Sequence, residues 1–171
     1  MNIDSIRFAD RFNGISGSAI REIFKLLAVP GMISFAGGNP SPDFLPGEKV
    51  GEIANALLQE KGKILLQYGA TEGYAPLKES LVSYLKDRFS FTCTAEEILP
   101  VTGSTQAMDL LSKALLNPGD KVVIENPTFL GNMQCLNLYQ ANLIPVDSDD
   151  EGIDVDKLEE VFKNEHPKLL Y

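Results

Sequence analysis

From residue 97 onward, short apolar runs alternate with stretches of helical spacing, and that rhythm restricts the fold more than any other feature. The runs are ILPV at 98–101, KVVIE at 121–125, NLIPV at 142–146 and KLLY at 168–171. Between them, Ala107, Leu110, Leu111, Ala114 and Leu115 recur at helical spacing, and residues 133–140 form a second helical stretch. Strands separated by helices predict a mostly parallel sheet with helices on its faces, an α/β fold of three-layer α/β/α architecture. A chain of 171 residues is long enough for one domain, or one domain and part of another. It can bury roughly 70% of its unfolded surface, so it needs no staples. The last run stops without a turn signal and leaves an apolar edge, which reads as a fragment cut inside a domain.

Upstream of the alternation the pattern is helical and loop-rich. Residues 18–27 read as an amphipathic helix with Ile20, Ile23, Phe24 and Leu27 on one face. A brief extended segment at 32–36 leads into the loop GGNPSPDFLPG. Helical spacing returns at Val50, Ile53, Ala54, Leu57 and Leu58, with Gly62 as the expected stop. The loop YGATEGY at 68–74 precedes a helix starting near Pro76, striped by Leu77, Leu81, Tyr84 and Leu85.

Charge excludes several partners. The formal net charge is −9, with 24 acids against 15 bases. Nucleic acid is not expected as a partner, because phosphate binding needs a basic footprint. Nine acids and two lysines lie between Asp147 and Glu165. Their spacing does not match a calcium loop, so no metal is expected there. The stretch reads as a solvated turn and a helix N-terminus capped by Asp154, with Leu158, Val161 and Phe162 facing inward. Cys93 and Cys135 read as free thiols. The first residues, MNIDSIRFADRF, lack a hydrophobic h-region, and no apolar stretch of the sequence reaches membrane-spanning length. The expectation is a soluble, cytoplasmic protein with no membrane partner.

The turn Thr102-Gly103-Ser104-Thr105-Gln106 joins the first apolar run to its helix without a nearby lysine, arginine or histidine. Ligands of open α/β sheets bind where strand ends meet helix N-termini. Such an N-terminus offers unpaired N–H groups and a partial positive charge. Gly103 permits close backbone approach, and the hydroxyls of Ser104 and Thr105 add donors, so the turn can cradle a phosphate. The alternative is that one of these hydroxyls merely caps the helix. Other phosphate motifs, a G-x-S-x-G elbow and a histidine-based zinc site are absent, the single histidine being His166 beside a proline.

In order, ISFAGGNPSPDFLP (33–46), QYGATEGYAPLKESLVSYL (67–85) and LPVTGSTQAMDLLSKALLNPGDKVVIENPTFLG (99–131) resemble blocks of the fold-type I pyridoxal-phosphate aminotransferases. The likeness is to the branch containing 2-aminoadipate and kynurenine aminotransferases. It implies a homodimeric enzyme of amino-acid metabolism. Such an enzyme transfers an amino group between an amino acid and a 2-oxo acid, with pyridoxal 5'-phosphate as cofactor. It implies an N-terminal arm and small-domain segment over 1–66, and the first part of the large cofactor-binding domain over 67–171.

By the same resemblance, Gly103, Ser104 and Thr105 hold the cofactor phosphate and Phe129 stacks on its ring. Tyr68 reaches the phosphate from the neighbouring subunit. Gly38 approaches the substrate carboxylate, and Arg21 stands near the substrate. Lys78 stands where the family often has arginine, and Asn126 where an acid is common. The lysine that binds the cofactor covalently, the carboxylate on its ring nitrogen and the substrate-pairing arginine lie, in the family, beyond Tyr171. No catalytic residue is therefore expected within the chain. Two other readings share these blocks: a cofactor-binding effector domain of a transcription regulator, and a carbon–sulfur lyase or decarboxylase of the same fold.

Overall fold

The computed structural model describes residues 6–13, 29, 31, 33, 38 and 40–171. The helix expected over 18–27, including Arg21, lies outside the described residues, and of the extended segment at 32–36 only Ile33 is described. The chain forms two compact units. One comprises Gly17–Pro100, the other Met1–Ser16 together with Val101–Tyr171.

The first unit holds helices α1 (Gly47–Leu65) and α2 (Ala75–Phe89). The stripe that predicts α1 is present, but Gly62 does not end it. Gly62 does not take the left-handed conformation that a terminating glycine adopts. The helix is instead kinked at Lys61 (φ −128°, ψ 17°). It then runs one more turn, and the Leu66 N–H donates to the Gly62 carbonyl at 3.0 Å. Pro76 lies in the first turn of α2, where its missing N–H costs nothing. Ser90, at φ 54°, closes the other end.

The second unit is an α/β assembly. Its elements are α3 (Ser104–Leu115), β1 (Lys121–Asn126), α4 (Leu130–Leu138), β2 (Asn142–Asp149), β3 (Gly152–Ile153), α5 (Val155–Glu165) and β4 (Leu169–Leu170). The sheet order is β3-β2-β1-β4. Strand β1 is central and parallel to both neighbours, with Val123 beside Ile144 of β2 and Leu170 of β4. Only the short β3 runs antiparallel, against the end of β2. The α/β class expected from the alternation is observed, with a mixed, mostly parallel sheet.

Val122 and Ile124 join Leu136 and Cys135 of α4 and Met108 of α3 in one cluster. Val123, pointing to the opposite face, is as fully buried as Val122. Burial on both faces explains why β1 reads as a continuous apolar run rather than an alternating one. Burying a Val or Leu side chain in this way stabilises by about 1.5–3 kcal/mol.

Two further expectations fail. Residues 98–101 are not a strand. Pro100 has no N–H for a ladder, the run is not among the four hydrogen-bonded strands of the sheet, and Leu99 stays exposed. The second concerns α5: Asp154 does cap it, accepting the Lys157 N–H at 3.0 Å, but Phe162 is exposed rather than inward. Among the described residues, no helix is long and apolar enough to cross a membrane. No three His, Cys, Asp or Glu side chains among them come together as a metal site.

Candidate functional site

The turn that opens α3 is built around Gly103. Its dihedrals, φ 124° and ψ 170°, belong to a region essentially reserved for glycine. A Cβ there would meet nothing within 4 Å, so backbone conformation alone requires the glycine. Gly103 occupies the N-cap, and no side chain caps the helix. Ser104 and Thr105 are therefore not capping residues.

The first intrahelical bond of α3 is Ala107 N–H to the Gly103 carbonyl, at 3.2 Å. The N–H groups of Ser104, Thr105 and Gln106 precede it and point out of the helix end, as the first-turn donors of any helix do. These donors, two hydroxyls and the positive end of the helix dipole suit an anionic oxygen cluster such as a phosphate.

Gln106 was not singled out by sequence, yet it organises the turn. Its Oε1 accepts both the Thr102 N–H, at 2.6 Å, and the Thr102 hydroxyl, at 3.0 Å. The signal was available, for this is the reach-back of a capping box displaced by one residue across a glycine.

Next to this turn lies a cleft of about 510 Å³ between α3 and α4. Thr105, Gln106 and Asp109 line one wall, with Gly131, Gln134 and Cys135 opposite. The walls are joined by Tyr139, whose hydroxyl donates to Asp109 Oδ1 at 2.9 Å. Cys135 is buried, and burial, reinforced by Asp109, pushes its thiol pKa up. A thiol so placed is a poor nucleophile.

Phe129 is the N-cap residue of α4 and is 55% exposed. Its ring lies over Gly131, where a Cβ would sit 2.7 Å from Phe129 Cε1. Only glycine leaves the ring that position. At the end of β1, Asn126 donates to Asp147 Oδ1 of the neighbouring β2 at 3.0 Å.

Gly103, Ser104 and Thr105 are thus contiguous at one helix end, and Phe129 begins the helix that packs against α3. Tyr68 and Gly38 belong to the other compact unit. Tyr68 is 98% exposed, and Gly38 has φ 58° with nothing within 4 Å of a would-be Cβ. Arg21 lies outside the described residues.

A family model described as "Aminotransferase class I and II" matches residues 31–170. The chain belongs to the class I and II aminotransferases. A 2-aminoadipate transaminase of Thermus thermophilus is 43% identical over 157 residues, covering 92% of this chain and 38% of that protein. Among solved aminotransferase structures, the α-aminoadipate aminotransferase of the same organism carries N-(5'-phosphopyridoxyl)-L-leucine. It matches with a TM-score of 0.83 at 40% identity, over 96% of this chain and 39% of its own. The kynurenine aminotransferase of Pyrococcus horikoshii, solved with pyridoxamine phosphate (PMP), matches at a TM-score of 0.84 and 35% identity. It covers 96% of this chain and 42% of its own. The chain spans about two-fifths of the length of these aminotransferases.

Proposed function

We propose that the chain forms the phosphate-binding part of a pyridoxal-phosphate-dependent aminotransferase, an enzyme that moves an amino group between an amino acid and a 2-oxo acid. The observation that carries this reading is the α3 N-terminus, where the Gly103 conformation leaves first-turn N–H groups and two hydroxyls at one helix end. Family membership supports it, as does the phosphopyridoxyl group in the Thermus relative.

The residues present fit the phosphate and ring of such a cofactor. Gly103, Ser104 and Thr105 would hold the phosphate through N–H and hydroxyl donors, each bond to a charged oxygen contributing about 1.5–3 kcal/mol. Phe129, resting over Gly131, would offer its face to the pyridine ring, worth about 0.5–1.5 kcal/mol beyond area burial. When bound, the cofactor supplies an electron sink for the substrate's α-carbon. The chain's own part is to fix and orient it: gripping phosphate at one end and stacking at the other leaves the ring a single pose.

The finer assignments belong to the same reading. Residues 1–66 are an arm and small-domain segment, and 67–171 begin the large domain. The exposed Tyr68 reaches the phosphate of a neighbouring subunit in a homodimer, Gly38 approaches the substrate carboxylate, and Arg21 stands near the substrate. The enzyme serves amino-acid metabolism in the cytoplasm.

The test compares pyridoxamine phosphate with pyridoxamine, neither of which carries an aldehyde to react with stray lysines. The phosphate form should bind the protein more tightly. Ser104→Ala and Thr105→Ala should each reduce that preference by roughly tenfold, and Tyr68→Phe should reduce it only in the dimer. Equal affinity for the two compounds in the unsubstituted protein defeats the reading.

A further inference from the structure

We infer that Gln106 is a positioning residue for the cofactor phosphate, acting through Thr102 to hold the α3 N-terminus in its binding conformation; this rests on the proposed cofactor reading. Gln106 Oε1 takes both donors of Thr102, the N–H at 2.6 Å and the hydroxyl at 3.0 Å. Thr102 immediately precedes Gly103, the residue with the greatest backbone freedom in the turn. Gln106 is one helical turn further on and lines the cleft beside Thr105. The two bonds therefore bracket Gly103 from both sides. They fix the peptide entering it and hold φ near 124°.

The consequence is preorganisation. A helix N-terminus binds an anion well only when its N–H groups already converge, since ordering them on binding reduces affinity. A glycine without the bracket samples many conformations, and each of those scatters the donors of Ser104 and Thr105. The bracket has a second effect on polarity. With Oε1 engaged, the remaining polar group of the Gln106 amide is its NH₂, which can only donate. The turn thus presents no side-chain acceptor from this residue toward an incoming phosphate.

The test uses the ratio of pyridoxamine to pyridoxamine phosphate dissociation constants, alongside hydrogen exchange at the Thr102 amide. Gln106→Met keeps the length of the side chain but accepts neither bond. It should lower the ratio by roughly tenfold, as for loss of a helix cap. Pyridoxamine affinity itself should not change, while the Thr102 amide loses its protection. Thr102→Val removes only the hydroxyl donor and should lower the ratio by a smaller factor with the amide still protected. That variant carries the test if the methionine variant fails to fold. A ratio unchanged in both variants, or equal weakening of both ligands, overturns the assignment, because a merely structural glutamine acts on the two alike. A ratio of one in the unsubstituted protein overturns the phosphate reading instead, so the two failures are distinct.

Discussion

Asn132 of α4 donates its side-chain amide to the Tyr171 hydroxyl at 2.9 Å, joining residues 39 apart in sequence. Asn132 is only 4% exposed, and its Oδ1 is buried with no protein partner. This bond ties the helix that begins after Phe129 to the chain leaving β4, whose backbone in turn reaches β1 through Tyr171 N–H to the Val123 carbonyl. Tyr171→Phe should cost about 1–3 kcal/mol, because it strands a buried donor. Replacing both groups, with Asn132→Leu added, should recover part of that loss. Urea unfolding of the two variants decides the matter: a double variant less stable than Tyr171→Phe would show that the amide is held by something other than this tyrosine.

Gly103→Ala is expected to damage the site without filling any space. Nothing lies near its missing Cβ, so the whole effect arises from forcing φ 124° on an alanine, a strain of about 1–3 kcal/mol. Stability should fall by that amount if the turn keeps its shape. If it relaxes, stability recovers and the preference for pyridoxamine phosphate over pyridoxamine disappears. Full stability together with full preference would mean that the turn does not need glycine.

The β2–α5 corner should respond to acid. Asp147 is held below its ordinary 3.8 by the Asn126 amide and then by Lys157. Asp154 is held below the same value mainly by the Lys157 backbone N–H. Depressed carboxylates contribute stability that is complete above their unfolded pKa and lost as pH falls through the folded value. Lys157 is raised above its ordinary 10.5, chiefly by Asp147. Its contribution is complete below that value and lost as pH rises through the raised one. The plateau should therefore lie between about pH 4 and about pH 10, and the edges should be shallow because all three groups are exposed. Melting temperature against pH is the measurement. Asp147→Asn should flatten the acid edge and the alkaline one together, and an effect on one alone would break the assigned pairing.

How much of this was legible depends on whether the cause was local. The strand at 121–126 could be read because burial on both faces leaves a continuous apolar run, and the apolar run at 142–146 marked the first part of β2, which continues through polar residues to Asp149. The Gly103 turn and the Asp154 cap could be read because their chemistry spans a few residues. The run at 98–101 misled because a strand needs a neighbour, and hydropathy does not supply one. Helix α3 was found from Leu110, Leu111 and Leu115, yet those side chains are exposed while Met108 and Ser112 are buried. Its apolar residues do share one side, but the buried pair Met108 and Ser112 lies at the edge of that stripe, so spacing located the helix but not its inward face. Gly62 misled because a glycine can stop a helix or simply sit in one. The Gln106 bracket could have been read from spacing. The Asn132–Tyr171 bond could not, being a tertiary contact between side chains ordinary on their own.

The last prediction concerns lysine. A polypeptide of residues 1–171 should bind the cofactor without a specific covalent bond and should not transfer amino groups. A lysine becomes nucleophilic by losing its proton, which requires a depressed pKa or a neighbouring base. In the unit that holds the phosphate turn, four of the five lysines are engaged by carboxylates. Lys121 pairs with Glu165, Lys163 with Glu159 and Lys168 with Asp120. Lys157 lies between Asp147 and Asp154, which raise its pKa rather than lower it. Lys113 lies in the last turn of α3, at the end away from Ser104. Phosphate contacts and stacking hold substrate and product forms alike, and such uniform binding does not accelerate the chemical step. Without a base near the reacting carbon, proton transfer has no catalyst. The check is to incubate the purified polypeptide with pyridoxal phosphate, reduce with borohydride and map labelled lysines by mass spectrometry. Scattered, substoichiometric labelling is expected. One lysine labelled stoichiometrically, together with turnover of an amino acid, would place the reactive lysine among these residues and displace the site from where the phosphate turn puts it.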